Sequence, residues 1–126
     1  MQINDPATVE ELRQLYPLYE DALVNNDVET LTAMFWASPH AIRLGAGENL
    51  YGIDEIEAFR KSRPATNLAR RAVRIEIVTF GKDFGSITLE FERDTPTGIT
   101  HGRQSQVWVR LHEGWRIVSA HVSILC

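Results

Sequence analysis

The chain has 126 residues, 44% of them hydrophobic and 24% charged, the balance of an ordinary soluble globular domain and enough to bury roughly two thirds of its unfolded surface. This excludes disordered and repeat classes, and residues 1–126 read as one domain. A formal net charge of -4 and an isoelectric point near 5.5 argue against nucleic acid as a partner, since a nucleic-acid surface needs a basic stripe to displace counterions from phosphate.

The N-terminus, MQINDPATVEELR, carries acids where a secretory signal has a basic and then an apolar run. No segment is long and apolar enough to span a bilayer, so a cytoplasmic protein away from the membrane is expected. The single cysteine, Cys126, can form no internal disulfide and has no ligand cluster near it in sequence; it reads as inert.

In chain order, Asp5 suits a helix N-cap, with Pro6 in the first turn and acids Glu10 and Glu11 after it. Val9, Leu12, Tyr16, Tyr19 and Leu23 then recur at helical spacing on one stripe, which turns Tyr19 inward. Asn25 and Asn26 suit a helix end, and Asp27 opens a short second helix with Val28, Leu31, Met34 and Phe35 apolar. Pro39 breaks it, and Ala41, Ile42 and Leu44 form a short strand run that holds one cation, Arg43.

Gly45 and Gly47 permit a tight turn. Gly52 precedes a third helix with Ile53, Ile56 and Phe59 inward, acids (Asp54, Glu55, Glu57) early and bases (Arg60, Lys61) late, as the helix dipole favours. Pro64 ends that segment. The arginines at 60, 63, 70, 71 and 74 make one locally basic stretch in which acids interleave, so it reads as a solvated face.

From Ala69 the period changes to two. Val73, Ile75 and Ile77 alternate with Arg74 and Glu76, and Ile87, Leu89 and Phe91 with Thr88, Glu90 and Glu92, around a Gly81-Lys82-Asp83 turn; both strands are expected to be half-buried. A turn at Pro96 to Gly98 leads to a strand from Ile99 to Leu111, and one at His112 to Gly114 to a last strand from Trp115 to Leu125. In that last strand, Val118, Ala120, Val122 and Ile124 form an apolar set assigned to the core. Trp115, Ile117, Ser119, His121 and Ser123 form a mixed set assigned to solvent or a subunit interface. On the strand before it, Gln104, Gln106 and Trp108 are placed on the pocket side. Three helices followed by a four-strand meander predict an α+β domain, its helices packed on one face of a curved antiparallel sheet with a pocket between the layers.

Two residues in this plan could carry chemistry. Arg43 alternates onto one face of the sheet, toward water or toward the interior. If inward, a guanidinium that cannot deprotonate needs an anionic partner, either a structural carboxylate such as Glu48 or a ligand's carboxylate. Tyr19 is either a core tyrosine whose hydroxyl finds a carbonyl or water, or a phenol held beside the Arg43 guanidinium. Such a cation favours the phenolate and makes the phenol a better proton donor. The chain lacks a P-loop, HExxH, paired cysteines, GxSxG and a dinucleotide fingerprint. His40, His101, His112 and His121 are scattered without ligand spacing, so a metal is not expected.

The stretches YEDALVNNDVETLTAMFW, RLGAGENLYGIDEIEAFR, GRQSQVWVR and GWRIVSAHVS resemble the AtzH-like group, with its HpxZ-like relatives, of the nuclear-transport-factor-2-like superfamily. The resemblance spans nearly the whole chain. It implies a cone-shaped α+β fold with the sheet wrapped on three N-terminal helices, and a homodimer formed through the sheet. It also implies a decarboxylating amidohydrolase that converts 1,3-dicarboxyurea, a small anionic carboxylated urea, to allophanate without a cofactor and beside a partner amidohydrolase. Carried over by position, the catalytic residues are Tyr19 and Arg43; Gln104, Gln106 and Trp108, placed on the pocket side by strand alternation and not by the resemblance, are expected to bind the substrate. Two other readings stand beside it: a non-catalytic ligand-binding or association domain, and an isomerase or dehydratase, which would need a pocket carboxylate or histidine as base.

Overall fold

The computed structural model describes residues 1–66 and 68–126. Three helices, α1 (Pro6–Val24), α2 (Val28–Met34) and α3 (Ile53–Ser62), accompany six strands: β1 (Ile42–Leu44), β2 (Asn49–Tyr51), β3 (Arg71–Phe80), β4 (Phe84–Thr95), β5 (Gly98–Leu111) and β6 (Gly114–Ile124). The fold is α+β, as the change of period predicts, with one curved, unclosed sheet in the order β2-β1-β6-β5-β4-β3. The long hairpins β3–β4, β4–β5 and β5–β6 form the expected meander, and the β1–β2 hairpin extends it. β1 lies parallel to β6, with Arg43 opposite Ala120. That parallel pairing departs from the all-antiparallel expectation: β2, α3 and β3–β5 separate the two strands in the chain, so no tight hairpin makes them antiparallel.

Local sequence explains the helix boundaries. The Asp5 carboxylate accepts from the Thr8 backbone N–H at 3.2 Å and from its hydroxyl at 2.7 Å, satisfying one of the free amides of the first turn of α1. Asp27 caps α2 in the same way through Thr30. Between them Asn26 takes a positive φ of 49°, a conformation that asparagine tolerates better than most residues.

The core lies between α1 and the inner sheet face. Leu12, Tyr16, Tyr19 and Leu23 join Ile87, Leu89 and Phe91 of β4 and Trp108 of β5 in one buried cluster. Each fully buried large apolar side chain contributes roughly 1.5–3 kcal/mol relative to exposure.

Two expectations about the strands are corrected. Trp115 and Ile117 are buried along with Ala120, so the inward set of β6 changes parity partway. The cause is a bulge: Trp108 pairs with Ile117 and Val107 with Ser119, leaving Val118 as the extra residue. Ahead of it the odd-numbered positions face the core; beyond it Ala120, Val122 and Ile124 do.

The second correction concerns β3, whose Val73 and Ile75 are 53% and 44% exposed. β3 is the sheet edge, and α1 covers only its far end, around Thr79. The N-terminal segment also reaches that end, where the Asn4 side-chain oxygen accepts from the Thr79 N–H at 2.9 Å. Arg71, Arg74 and Glu76 on the exposed stretch discourage edge-to-edge pairing with another chain.

Close packing between β4 and β5 depends on Gly102, directly opposite Phe91. A Cβ at position 102 would fall on the Phe91 ring. Gly102→Ala is therefore expected to lower stability by about 1–3 kcal/mol through overpacking, read as a lower urea midpoint with unchanged slope. A midpoint equal to that of the unaltered protein would contradict this packing.

Candidate functional site

Beneath the helices, a cavity of about 220 Å3 forms where the end of α1, the β1–β2 loop, the end of α3 and the inner faces of β4, β5 and β6 meet. Leu23, Phe59, Leu68, Phe91, Val122 and Ile124 supply its apolar walls. Its polar lining is Arg43, Glu48, Arg63, Arg70, Arg93 and Gln104. A larger groove of about 540 Å3 runs between α1 and β3, but it is lined by Arg13, Tyr16, Pro17, Ile75, Glu76 and Ile77 and gathers no comparable set of charges.

Arg43 points inward and is 6% exposed. Its Nη1 donates to Glu48 Oε2 at 2.8 Å, while the other Glu48 oxygen accepts from the Gly47 N–H at 3.3 Å. Gly45 permits this return of the side chain, because a Cβ there would fall on the Glu48 carboxylate. The structural carboxylate that the sequence offered is thus in place, yet the pairing is incomplete: Arg43 Nε is buried without a partner.

Tyr19 also points inward, 1% exposed. The cation that touches its hydroxyl is Arg60, whose Nη2 donates to it at 3.0 Å; Arg43 acts on Tyr19 through its charge. Burial pushes the phenol's pKa up, but Arg60, then Arg43 and Arg70, more than offset it and leave the phenol below its ordinary value of 10.

Arg60 lies on the last turn of α3, wholly buried, with Nε and Nη1 unpartnered. Burial lowers its pKa, and the neighbouring Arg43 and Arg70 charges add to that while Tyr19 opposes it. Arg63, just past the helix, donates to the Asn26 side chain at 3.3 Å. Burial, with Arg60 and Arg43 nearby, brings its pKa down to about 10. Arg93 on β4 stands with its Cζ 5.5 Å from the Phe91 ring centre and its Nε buried without a partner.

Arg70 is held differently. Its Nε and Nη2 donate to the two Glu20 oxygens at 2.7 and 2.9 Å, and Nη2 donates also to Gln104 Oε1 at 2.9 Å. Gln104 Nε2 donates to the Tyr16 hydroxyl at 3.0 Å, and that hydroxyl donates to Glu20 Oε1 at 2.7 Å, closing a ring. The guanidinium carbon lies 4.4 Å from the Phe91 ring centre, within cation–π range.

The basic stretch that reads as a solvated face is therefore divided. Arg71 and Arg74 are exposed, whereas Arg60, Arg63 and Arg70 turn into the interior with Arg43 and Arg93. Among the described residues, these five guanidiniums are met by two carboxylates, Glu20 and Glu48. Of the other sequence candidates, Gln104 lines the cavity, while Gln106 and Trp108 are buried further along β5, where Trp108 Nε1 donates to Gln106 Oε1 at 2.9 Å. The four histidines are exposed. Among the described residues no group of three or more histidine, cysteine or acidic side chains is placed to hold a metal ion, and no helix is long and apolar enough to cross a membrane.

Two sequence signals pointed to the missed arginines. Arg60 continues the Ile53, Ile56 stripe of α3, and Arg93 continues the inward parity of Ile87, Leu89 and Phe91. Arg63 and Arg70 lie outside regular elements, where periodicity carries no information.

A curved sheet backed by helices, with a small polar pocket between the layers, is the architecture of nuclear-transport-factor-2-like proteins. A protein of that fold from Pseudomonas putida, of unknown function, matches with a TM-score of 0.79 at 16% identity, over 93% of this chain and 86% of its own. The chain itself belongs to the AtzH-like family, which it matches over residues 1–126. A Pectobacterium atrosepticum protein of unknown function from the DUF3225 family is similar at 43% identity and a TM-score of 0.93, covering 98% of this chain and 95% of that one. A cystatin-like fold protein from Burkholderia xenovorans is 39% identical, with a TM-score of 0.92 and coverage of 100% and 98%. No curated protein matches the chain.

The ring around Arg70 gives stability a dependence on acid. Burial raises the Glu20 carboxyl, but the hydrogen bonds and charge of Arg70 outweigh it, so the folded value lies below the unfolded one. A depressed carboxylate contributes stability that is complete above its unfolded value, about 4.3, and is lost as pH falls through the folded value. Glu20→Gln should make the acid side of a pH series of urea midpoints less steep, and should cost about 3 kcal/mol at neutral pH by leaving Arg70 without its counter-ion. An acid side that keeps its slope in the variant would exclude Glu20 as a source.

Proposed function

We propose that the protein is a cofactor-independent decarboxylating amidohydrolase that converts 1,3-dicarboxyurea, or a related N-carboxylated urea, to allophanate. The observation that carries this reading is the surplus of guanidiniums over carboxylates around one small cavity; the buried Tyr19 phenol, held by Arg60, lies behind that lining. Buried cations left short of counter-ions favour a ligand that brings negative charge, and a small dicarboxylate brings two.

In this reading one substrate carboxylate meets Arg43, in the position that the Glu48 carboxylate holds in this structure, and the geometry of the guanidinium fixes its orientation. The bond between the urea nitrogen and the departing carboxyl carbon breaks. Its electron pair stays on nitrogen, which takes the Tyr19 proton, and carbon dioxide leaves; solvent then returns a proton to the phenolate. Gln104 contributes a polar edge to the cavity, while Gln106 and Trp108 support the wall behind it. The shallow polar outer face bearing Thr88, Glu90, Arg103, Ser105, His121 and Ser123 is where a second copy would pack to form the homodimer. Allophanate would pass to a partner amidohydrolase.

A second reading, a non-catalytic ligand-binding or association domain that supports a partner amidohydrolase, draws on the Arg43–Glu48 ion pair, which already satisfies part of that guanidinium. The two are separated by the rate at which freshly generated 1,3-dicarboxyurea is turned over above its spontaneous background. Tyr19→Phe and Arg43→Ala are each expected to lower that rate at least about a hundredfold, as loss of a general acid or of a positioned cation does, while their far-UV circular dichroism is unchanged. No acceleration by the unaltered protein, on this or on related carboxylated ureas, would leave the binding-domain reading.

A further inference from the structure

Arg60 is a costly side chain to bury. It is wholly buried, two of its three nitrogens have no partner, and no carboxylate pairs with it among the described residues. Its one hydrogen bond goes to the Tyr19 hydroxyl. A buried cation without a counter-ion is costly, and apolar side chains of similar volume commonly replace buried charges at no loss of stability. The Tyr19 and Phe35 rings, each centred 5.9 Å from its guanidinium carbon, offset only part of that cost, so packing alone gives little reason for an arginine here.

The direction of its bond does. A guanidinium only donates, so the Tyr19 oxygen must accept. That uses a lone pair and leaves the phenol's own proton for another acceptor. Among the described residues no protein atom accepts it, although the neighbouring Tyr16 hydroxyl is fully engaged by Glu20 and Gln104. Two tyrosines one turn apart on α1 are thus set for opposite tasks. Tyr16 donates to a carboxylate, which holds its proton in place. Tyr19 faces a cation, and its proton is free to leave.

We propose that Arg60 is the positioning residue for Tyr19: by donating to the hydroxyl oxygen it fixes the direction of the phenol's proton and balances the negative charge left when that proton is given to the substrate nitrogen. This rests on the reading of Tyr19 as the proton donor. Arg60 and Tyr19 both lie behind the cavity lining in this structure; in this proposal the substrate reaches the Tyr19 hydroxyl, and Arg60 acts only through it. The titratable and charged groups facing Tyr19 are Arg60 from α3, Arg63 just past it, Arg43 from β1, Arg70 from the segment before β3, and Tyr16 on its own helix. Arg43 and Arg70 each have a carboxylate partner. Arg60 has none, so Tyr19 is its own nearest candidate anion.

The test uses Arg60→Met, which keeps the length of the chain and removes its charge, and Arg60→Lys, which keeps a charge without the planar fork. Protein labelled with carbon-13 at the tyrosine ring Cζ is titrated by NMR, with Tyr19→Phe identifying the Tyr19 signal. In Arg60→Met the Tyr19 titration should move to higher pH by at least one unit, the alkaline limit of turnover should move in the same direction, and the plateau rate should fall about a hundredfold. Arg60→Lys should lie between. The melting temperature of Arg60→Met should hold or rise, since a buried unpaired charge has been removed. A Tyr19 titration that stays in place in folded Arg60→Met, or an alkaline limit that does not follow it, overturns the proposal. The NMR result stands even if the unaltered protein turns over none of the ureas, so failure of the activity and failure of the Arg60–Tyr19 coupling are distinguishable.

Discussion

Like charges are confined in a small, mostly apolar space at the centre of this fold, and the packing around them answers to that constraint. Arg43, Arg60, Arg63, Arg70 and Arg93 share the interior between α1, α3 and the sheet, where they repel one another more strongly than they would in water. Two devices make the arrangement tolerable. The Glu20–Arg70–Gln104–Tyr16 ring neutralises one guanidinium and ties α1 to β5. Aromatic faces take part of the burden elsewhere, Phe91 beside Arg70 and Arg93, and Phe59 beside Arg43 and Arg63. What is left over is positive charge without partners, and an anionic ligand would relieve it.

The fold serves that confinement at several points. Gly102 makes room for the Phe91 ring, on which Arg70 rests. The bulge at Val118 lets β6 bury Trp115 and Ile117 at one end while presenting Val122 and Ile124 to the cavity at the other. Gly45 lets the Glu48 carboxylate fold back onto Arg43. In each case a local departure from regular packing positions a charged or apolar group at the site, and the polar ring beside it is satisfied at every member, as a rigid buried network requires.

Much of this was legible in the sequence. The stripe of α1 predicted that Tyr19 faces inward, and the strand pattern around Arg43 raised Glu48 as its partner; the structure has both. The α+β class followed from the change of period after Ala69. What was not legible has specific physical causes. Strict alternation cannot register an inserted residue, so the parity change at Val118 was invisible and Trp115 was assigned outward. β3 has the pattern of a half-buried strand, but whether a helix covers it is a tertiary fact. Arg60 satisfies the helix dipole at the end of α3 equally well whether it points out or in, and composition favoured outward. Its position on the Ile53–Ile56 stripe was the better guide. Arg70 and Arg63 owe their inward direction to Glu20 and Asn26, which are 50 and 37 residues away in sequence.

Malonate, a chemically stable dicarboxylate, probes whether the arginine-lined cavity takes a small dianion, with heat and melting temperature followed together in one titration. Saturable binding of one malonate per chain is expected, weaker as ionic strength rises, with a higher melting temperature on saturation. Binding should be lost in Arg43→Ala. A folded protein that takes up no malonate, or that binds it equally well without Arg43, has no dianion site in this cavity.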